Sequence, residues 1–185
     1  MFGNLFGKKS AAQQRDDQVW KTAAACLKGI GAAAVKSAAA GHNVIIVCLT
    51  NAAFDAVDTL LASHQPVHCR DIFGRDALRA ALARSGVMTI ALSGSLPADS
   101  PAATAVVEIL VYGRNASRAA DDAIKRFADQ LGAQATIAFC LSMEDALLQP
   151  FLASSVQLLQ QLGLQEDEAL SHAFITRAIE KCQSP

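Results

Sequence analysis

Ala138-Phe139-Cys140-Leu141-Ser142-Met143-Glu144-Asp145-Ala146-Leu147 is the stretch from which the fold is read. Apolar residues run unbroken into Ser142, and two carboxylates follow at Glu144 and Asp145. The pattern predicts a buried strand that gives way to a helix. The Ser142 hydroxyl would accept orphan backbone N–H groups there, and acidic residues would sit at the positive end of the helix dipole. Glu144 and Asp145 are neighbours on that helix and point about 100° apart, so they read as helix-start charge and not as a catalytic carboxylate pair.

Working outward, the same alternation recurs. Residues 44–49 are a continuous apolar run led by β-branched Val44 to Val47, which suits a strand buried on both faces of a parallel sheet. Thr50-Asn51 is a plausible cap for a helix over 52–63. Residues 67–72, 87–92, 106–111 and 135–141 read as further strands, with helices over 74–84 and 117–131 between them and a loop at 93–101. Upstream, Val19, Ala23, Cys26, Leu27 and Ile30 recur at helical spacing, which predicts a helix over 16–40, ended or bent by Gly29 and Gly31. Residues 1–15 read as a flexible leader. Residues 143–183 read as C-terminal helices broken near Gly163. Strand and helix alternate repeatedly without a linker, which predicts one α/β domain over 16–185: a mostly parallel sheet with helices on both faces.

Composition bounds the function. With 185 residues, 52% hydrophobic and 18% charged, the chain has enough apolar surface for a core and too little charge for disorder. A net charge of −1 argues against non-specific nucleic-acid affinity. The five cysteines are odd in number, widely separated and without a CxxC pair, so they read as reduced, buried thiols in a cytoplasmic protein. The start, Met1-Phe2-Gly3-Asn4-Leu5-Phe6-Gly7-Lys8-Lys9, lacks the apolar core of a signal peptide, and a frayed terminus is a better reading of it than a membrane contact by residues 1–9.

No chemistry-bearing constellation emerges from spacing. His64 and His68 are separated by Pro66, which breaks any helix that would align them on a metal, and no metal site is expected. Ser93-Gly94-Ser95 has Ala91 and Pro97 where a nucleophile elbow needs glycines. Arg114, Arg118 and Asp121 sit at i, i+4 and i+3 steps on a helix entry, where an ion pair is a better reading than an anion site. Lys125 and Arg126 read as solvated surface, and His172 as part of the turn before the last helix. No cofactor is indicated.

Residues 108–183 resemble a known family. Arg114-Asn115-Ala116-Ser117-Arg118, Asp121 and Gly132 lead without a gap into Phe139–Leu147, and Phe151, Val156, Leu162-Gly163, His172, Thr176-Arg177-Ala178-Ile179 and Gln183 follow in register. This resembles the second nucleotide-binding (motor) domain of SecA, the bacterial preprotein-translocase ATPase. The resemblance implies a RecA-like fold of the P-loop NTPase and helicase second-lobe type, a bacterial cytoplasmic setting, and a protein partner such as SecA itself or another motor-type ATPase. It also makes Arg114 and Arg118 the candidates for anion or nucleotide contact.

The departures from that family are chemical. In the family, the helix after Ser117-Arg118 carries arginine fingers that reach the nucleotide γ-phosphate. Here Lys125 stands at the first arginine of that run, and Phe127 and Gln130 stand at the finger positions. Loss of a finger costs about 10³–10⁵-fold in rate. Nor does G-x-x-x-x-G-K-[ST] occur in the chain, so no phosphate cradle with its lysine is encoded. The expectation is a degenerate, non-catalytic lobe that binds protein. The alternative is a nucleotide-site component acting in trans with a separate first-lobe ATPase.

Overall fold

A computed structural model describes residues 11–149 and 168–184. The elements are β1 (Gln13–Gln14), β2 (Gln18–Trp20), α1 (Ala23–Ala39), β3 (Asn43–Cys48), α2 (Asn51–Leu61), β4 (Val67–Cys69), α3 (Arg75–Leu82), β5 (Met88–Leu92), β6 (Val107–Tyr112), α4 (Arg118–Leu131), β7 (Ala135–Ser142), β8 (Leu170–Ser171) and α5 (Ala173–Cys182). They build a sheet of order β4-β5-β3-β6-β7-β2-β8, with β1 also paired to β7. All pairings are parallel except β2 with β8.

Period-two burial explains the layers. Ile45 and Val47 of β3 and Ile137, Phe139 and Leu141 of β7 join one core cluster with Leu78 of α3, Ile124, Phe127 and Leu131 of α4, and Ile175 and Ile179 of α5. Val44, Ile46 and Cys48 of β3 and Ala138 and Cys140 of β7 join the other, with Cys26, Ile30 and Ala34 of α1 and Phe54, Val57 and Leu61 of α2. Helices therefore cover both faces. Each fully buried large side chain in these clusters contributes about 1.5–3 kcal/mol of transfer free energy.

Several boundaries differ from the sequence reading. Residues 16–20 are not the start of a helix: Val19 packs in one cluster and Trp20 in the other, as a strand requires. The first helix begins at Ala23, where the Thr22 hydroxyl accepts from Ala25 N at 3.1 Å. That helix runs straight through Gly29 and Gly31. A Cβ at Gly29 would lie 2.6 Å from the Trp20 ring, so this glycine seats the indole. Within the segment read as leader, Gln13–Gln14 pair with Thr136 and Ile137; residues 1–10 lie outside the described residues. Gln13 pairs with Thr136 and Gln18 with Cys140, so five steps face four and the segment between is bulged.

The strand read at 67–72 ends at Cys69, because Asp71 Oδ1 accepts from Phe73 N (2.9 Å) and Gly74 N (3.2 Å) and caps a 3-10 turn over Ile72–Gly74. The Ser142 hydroxyl accepts from Glu144 N at 3.3 Å as expected, but residues 143–148 make turns and helix appears only at Gln149. Glu144 serves another element: its Oε2 accepts from Ala23 N at 2.9 Å, at the N-terminus of α1. Of the helices read over 143–183, α5 is present, capped by His172 Nδ1, which accepts from Phe174 N at 3.1 Å; residues 150–167, with Gly163, lie outside the described residues. No described helix is long and apolar enough to cross a membrane.

Candidate functional site

Because β2 to β7 run parallel, the loops that follow them collect at one edge of the sheet, where ligands of open α/β folds bind. Arg114 enters there. β6 ends at Tyr112, Gly113 adopts φ 97° as the chain turns, and the Arg114 side chain runs inward with 0% exposure. Its Nε and Nη2 donate to Asp17 at 3.1 and 2.7 Å, and Nη1 donates to Asp121 at 3.1 Å. The guanidinium also lies 4.0 Å from the centroid of the Phe139 ring.

The carboxylates are equally engaged. Asp121 accepts from Asn115 N (3.0 Å), Asn115 Nδ2 (2.8 Å) and Gln183 Nε2 (2.6 Å). Asp17 sits next to the bulge in the strand beside β7, and its backbone N–H donates to Thr176 Oγ1 at 2.9 Å. Burial pushes the Asp17 carboxyl above its ordinary range despite the opposing pull of Arg114. The cluster is an interior clasp with no open guanidinium face for a phosphate. Of the three residues read as holding an ion pair, Arg114 and Asp121 form one and Arg118 takes no part in it; the other partners, Asp17 and Gln183, lie 97 and 62 residues away from the groups they bind. No local spacing could have announced them.

Arg118 is apart from this cluster. It is exposed, opens α4, and donates through Nη2 to Glu180 O (2.5 Å) and through its backbone N–H to Ser184 O (2.9 Å). The two candidate arginines are thus separated, one in the interior and one on the surface. The finger positions are occupied structurally. Phe127 is 2% exposed in the core, and Gln130 Nε2 donates to Ala98 O at 2.5 Å. Lys125 is not simply solvated surface, since its ammonium lies 3.8 Å from Asp122 and 3.7 Å from Glu180.

Farther along the same edge, a cleft of about 490 Å³ opens at the ends of β3, β4 and β5, lined by Thr50, Asn51, Arg70, Asp71, Ser93 and Ser95 among others. Its polar groups are largely engaged within the fold. Thr50 Oγ1 accepts from Ala53 N at 3.1 Å, Arg70 pairs with Asp55 and covers the Phe54 ring, and Ser95 Oγ donates to Cys69 O and Leu92 O. Among the described residues no cluster of three or more His, Cys, Asp or Glu side chains could hold a metal ion. Ile72, which lines the cleft, is 60% exposed, and the next residue on the 3-10 turn, Phe73, is 86% exposed. The sequence reading missed this pair because it places Ile72 at the end of a strand over 67–72 and gives Phe73 no role.

Comparison with known proteins follows the same lines. No family profile matches the chain. The chain is similar to the protein translocase subunit SecA of Methylobacillus flagellatus, at 28% identity over 79% of this chain and 16% of the relative. It is similar to SecA of Amoebophilus asiaticus at 26% identity over 95% of this chain and 17% of the relative. The match to SecA of Coxiella burnetii is shorter, 36% identical over 46% of this chain and 9% of the relative. The chain spans at most 17% of the length of these curated relatives. Among solved structures, Mss116p (NTE and C-tail double deletion) bound to ssRNA and AMP-PNP superposes with TM-score 0.50 at 15% identity, over 82% of this chain and 30% of that one. The fold is α/β and RecA-like, and the chain resembles a SecA motor domain.

Proposed function

We propose that this chain is a non-catalytic protein-binding or regulatory module, a degenerate version of the second SecA motor domain, linked to protein translocation in the bacterial cytoplasm. Its partner is SecA or another motor-type ATPase. The observation that carries this reading is the state of the finger positions: Phe127 is core and Gln130 holds a loop carbonyl, while Arg114 is enclosed by Asp17 and Asp121. Transferring phosphoryl oxygens need a free, delocalised cation, and none of these supplies one.

A docking surface remains at the strand ends. The Ile72–Phe73 pair beside a shallow cleft is the kind of exposed apolar patch that a protein partner covers, with Phe73 as the anchor. Motor lobes act by docking against another lobe, which makes a protein partner the natural expectation by analogy of fold. The test uses the purified chain in two assays. Incubation with ATP and magnesium should give neither hydrolysis nor a nucleotide-dependent rise in Tm. Titration into purified SecA should give saturable binding that Phe73→Asp abolishes. Hydrolysis by the isolated chain, or no binding to any motor ATPase tried, removes the reading.

A second reading rests on Arg118, an exposed guanidinium at the same edge of the sheet. In trans to a first-lobe ATPase it would supply one charge to the nucleotide. Stimulated turnover that disappears in Arg118→Ala supports that role; unchanged turnover eliminates it.

A further inference from the structure

The groove between α1 and α2 lies on the sheet face opposite the Arg114 clasp. Within α1 the charged residues are Lys28 and Lys36, with no acid among them. They are eight residues apart, about 12 Å along the axis, and both line the groove. The opposite wall is the end of α2 and the turn after it, with Leu60 and His64. The groove holds about 510 Å³, and its floor includes Val35 and the 40% exposed Leu60.

Gly31 lies on the wall of this trough. A Cβ there would lie 2.5 Å from Leu60 Cδ2, so with glycine Leu60 lies against α1 and a larger residue would push its methyl aside. The charge pattern is one-sided. Neither Lys28 nor Lys36 has an ionic partner among the described residues. The acids of α2, Asp55 and Asp58, pair with Arg70 and His68 and do not line the groove.

An apolar floor between two unpaired cations two turns apart fits one kind of occupant. We infer that the α1–α2 groove docks an acidic amphipathic helix of a partner protein. Its apolar stripe lies on Val35 and Leu60, and carboxylates spaced about two turns apart meet Lys28 and Lys36. A helix seats in the hollow between two others at an interaxial distance of about 8–10 Å, which a flat bilayer surface does not. The surface is separate from the strand-end rim, so Phe73→Asp leaves it intact and each docking site fails or survives alone.

The probe is a synthetic helix of about four turns with leucines at i, i+3, i+4 and i+7 and glutamates flanking them. Fluorescence anisotropy with the full chain should give saturable binding that weakens with salt. Lys28→Glu with Lys36→Glu should weaken it at least about tenfold, or about 1.4 kcal/mol. The same double variant should gain the matching peptide with lysines in place of glutamates, which also shows that the variant is folded. No saturable binding of the acidic peptide overturns the inference. So does equal affinity for acidic and basic peptides, or lysine-dependent binding to phosphatidylglycerol vesicles without binding of the peptide.

Discussion

Replacing Arg114 by Met tests the clasp most directly. Met keeps much of the aliphatic volume over the Phe139 ring and removes the charge, leaving Asp17 and Asp121, both 0% exposed at the side chain, without their shared cation. Breaking a buried pair from one side costs about 3–5 kcal/mol. Against a total stability of about 5–15 kcal/mol, that is a large fraction. At about 2–4 °C per kcal/mol for a chain of this size, Tm should fall by about 6–20 °C. The readout is built in: Trp20 is the sole tryptophan, buried three residues from Asp17, so urea unfolding followed by its fluorescence reports on this locus.

The pH dependence has a definite sign. Burial already raises the Asp17 carboxyl, and Arg114 opposes that rise. A carboxyl raised in the folded state favours folding in acid, and that contribution is lost as pH climbs through the folded value. Without Arg114 the opposing pull disappears, so the variant's deficit should be largest near neutrality and shrink toward about pH 4. Adding Asp17→Asn to Arg114→Met should recover at least about half of the lost stability, since breaking the pair leaves its penalty chiefly in the uncompensated charge. A loss below about 1 kcal/mol for Arg114→Met would refute the reasoning, because an exposed pair costs that much at most. So would no recovery in the double variant.

Other expectations are smaller. Burial pushes the Cys26 and Cys48 thiols up to about 12 and raises Cys140 as well, while Cys182 is exposed. A thiol reagent at mildly alkaline pH should therefore label one cysteine of the native chain quickly, and Cys182→Ser should remove that phase; two fast thiols would contradict it. Asn43→Ala should cost about 1–3 kcal/mol in urea unfolding, since it strands Arg84 O and Val87 N, now 2.7 and 3.1 Å from the Asn43 amide. Gly74→Ala should cost about 1–3 kcal/mol, because its Cβ would sit 2.7 Å from Cys69 Cα and the backbone would have to yield. An unchanged unfolding midpoint would mean that the turn carrying Phe73 is loosely held.

The central strands were readable because burial on both faces forces continuous apolar runs: Val44 to Cys48 and Ile137 to Leu141 have no solvent side to mark with polar letters. Helix α4 was readable from Ile124, Phe127 and Leu131 on one stripe. The strand at Gln18–Trp20 was hidden because three residues cannot establish a period, and Val19 happens to fall in helical phase with Cys26 and Ile30. Glu144 fitted its own expected helix so well that its role at the start of α1 was invisible, 121 residues away in the chain. Arg114 and Asp121 were picked out, but Asp17 was not, since letters carry no record of which distant carboxylate a loop will meet.

The bulged strand beside β7 sets an order of events during synthesis. Residues 13–20 emerge before their partners, which are Thr136 to Ser142 on one side and Leu170 and Ser171 on the other. Asp17 waits 97 residues for Arg114 and 159 for Thr176. Such long loops must close before their contacts repay the entropy. On the ribosome β1 and β2 therefore wait for β7 to be made, and until they dock the edge of β7 stands open to whatever chain is nearby.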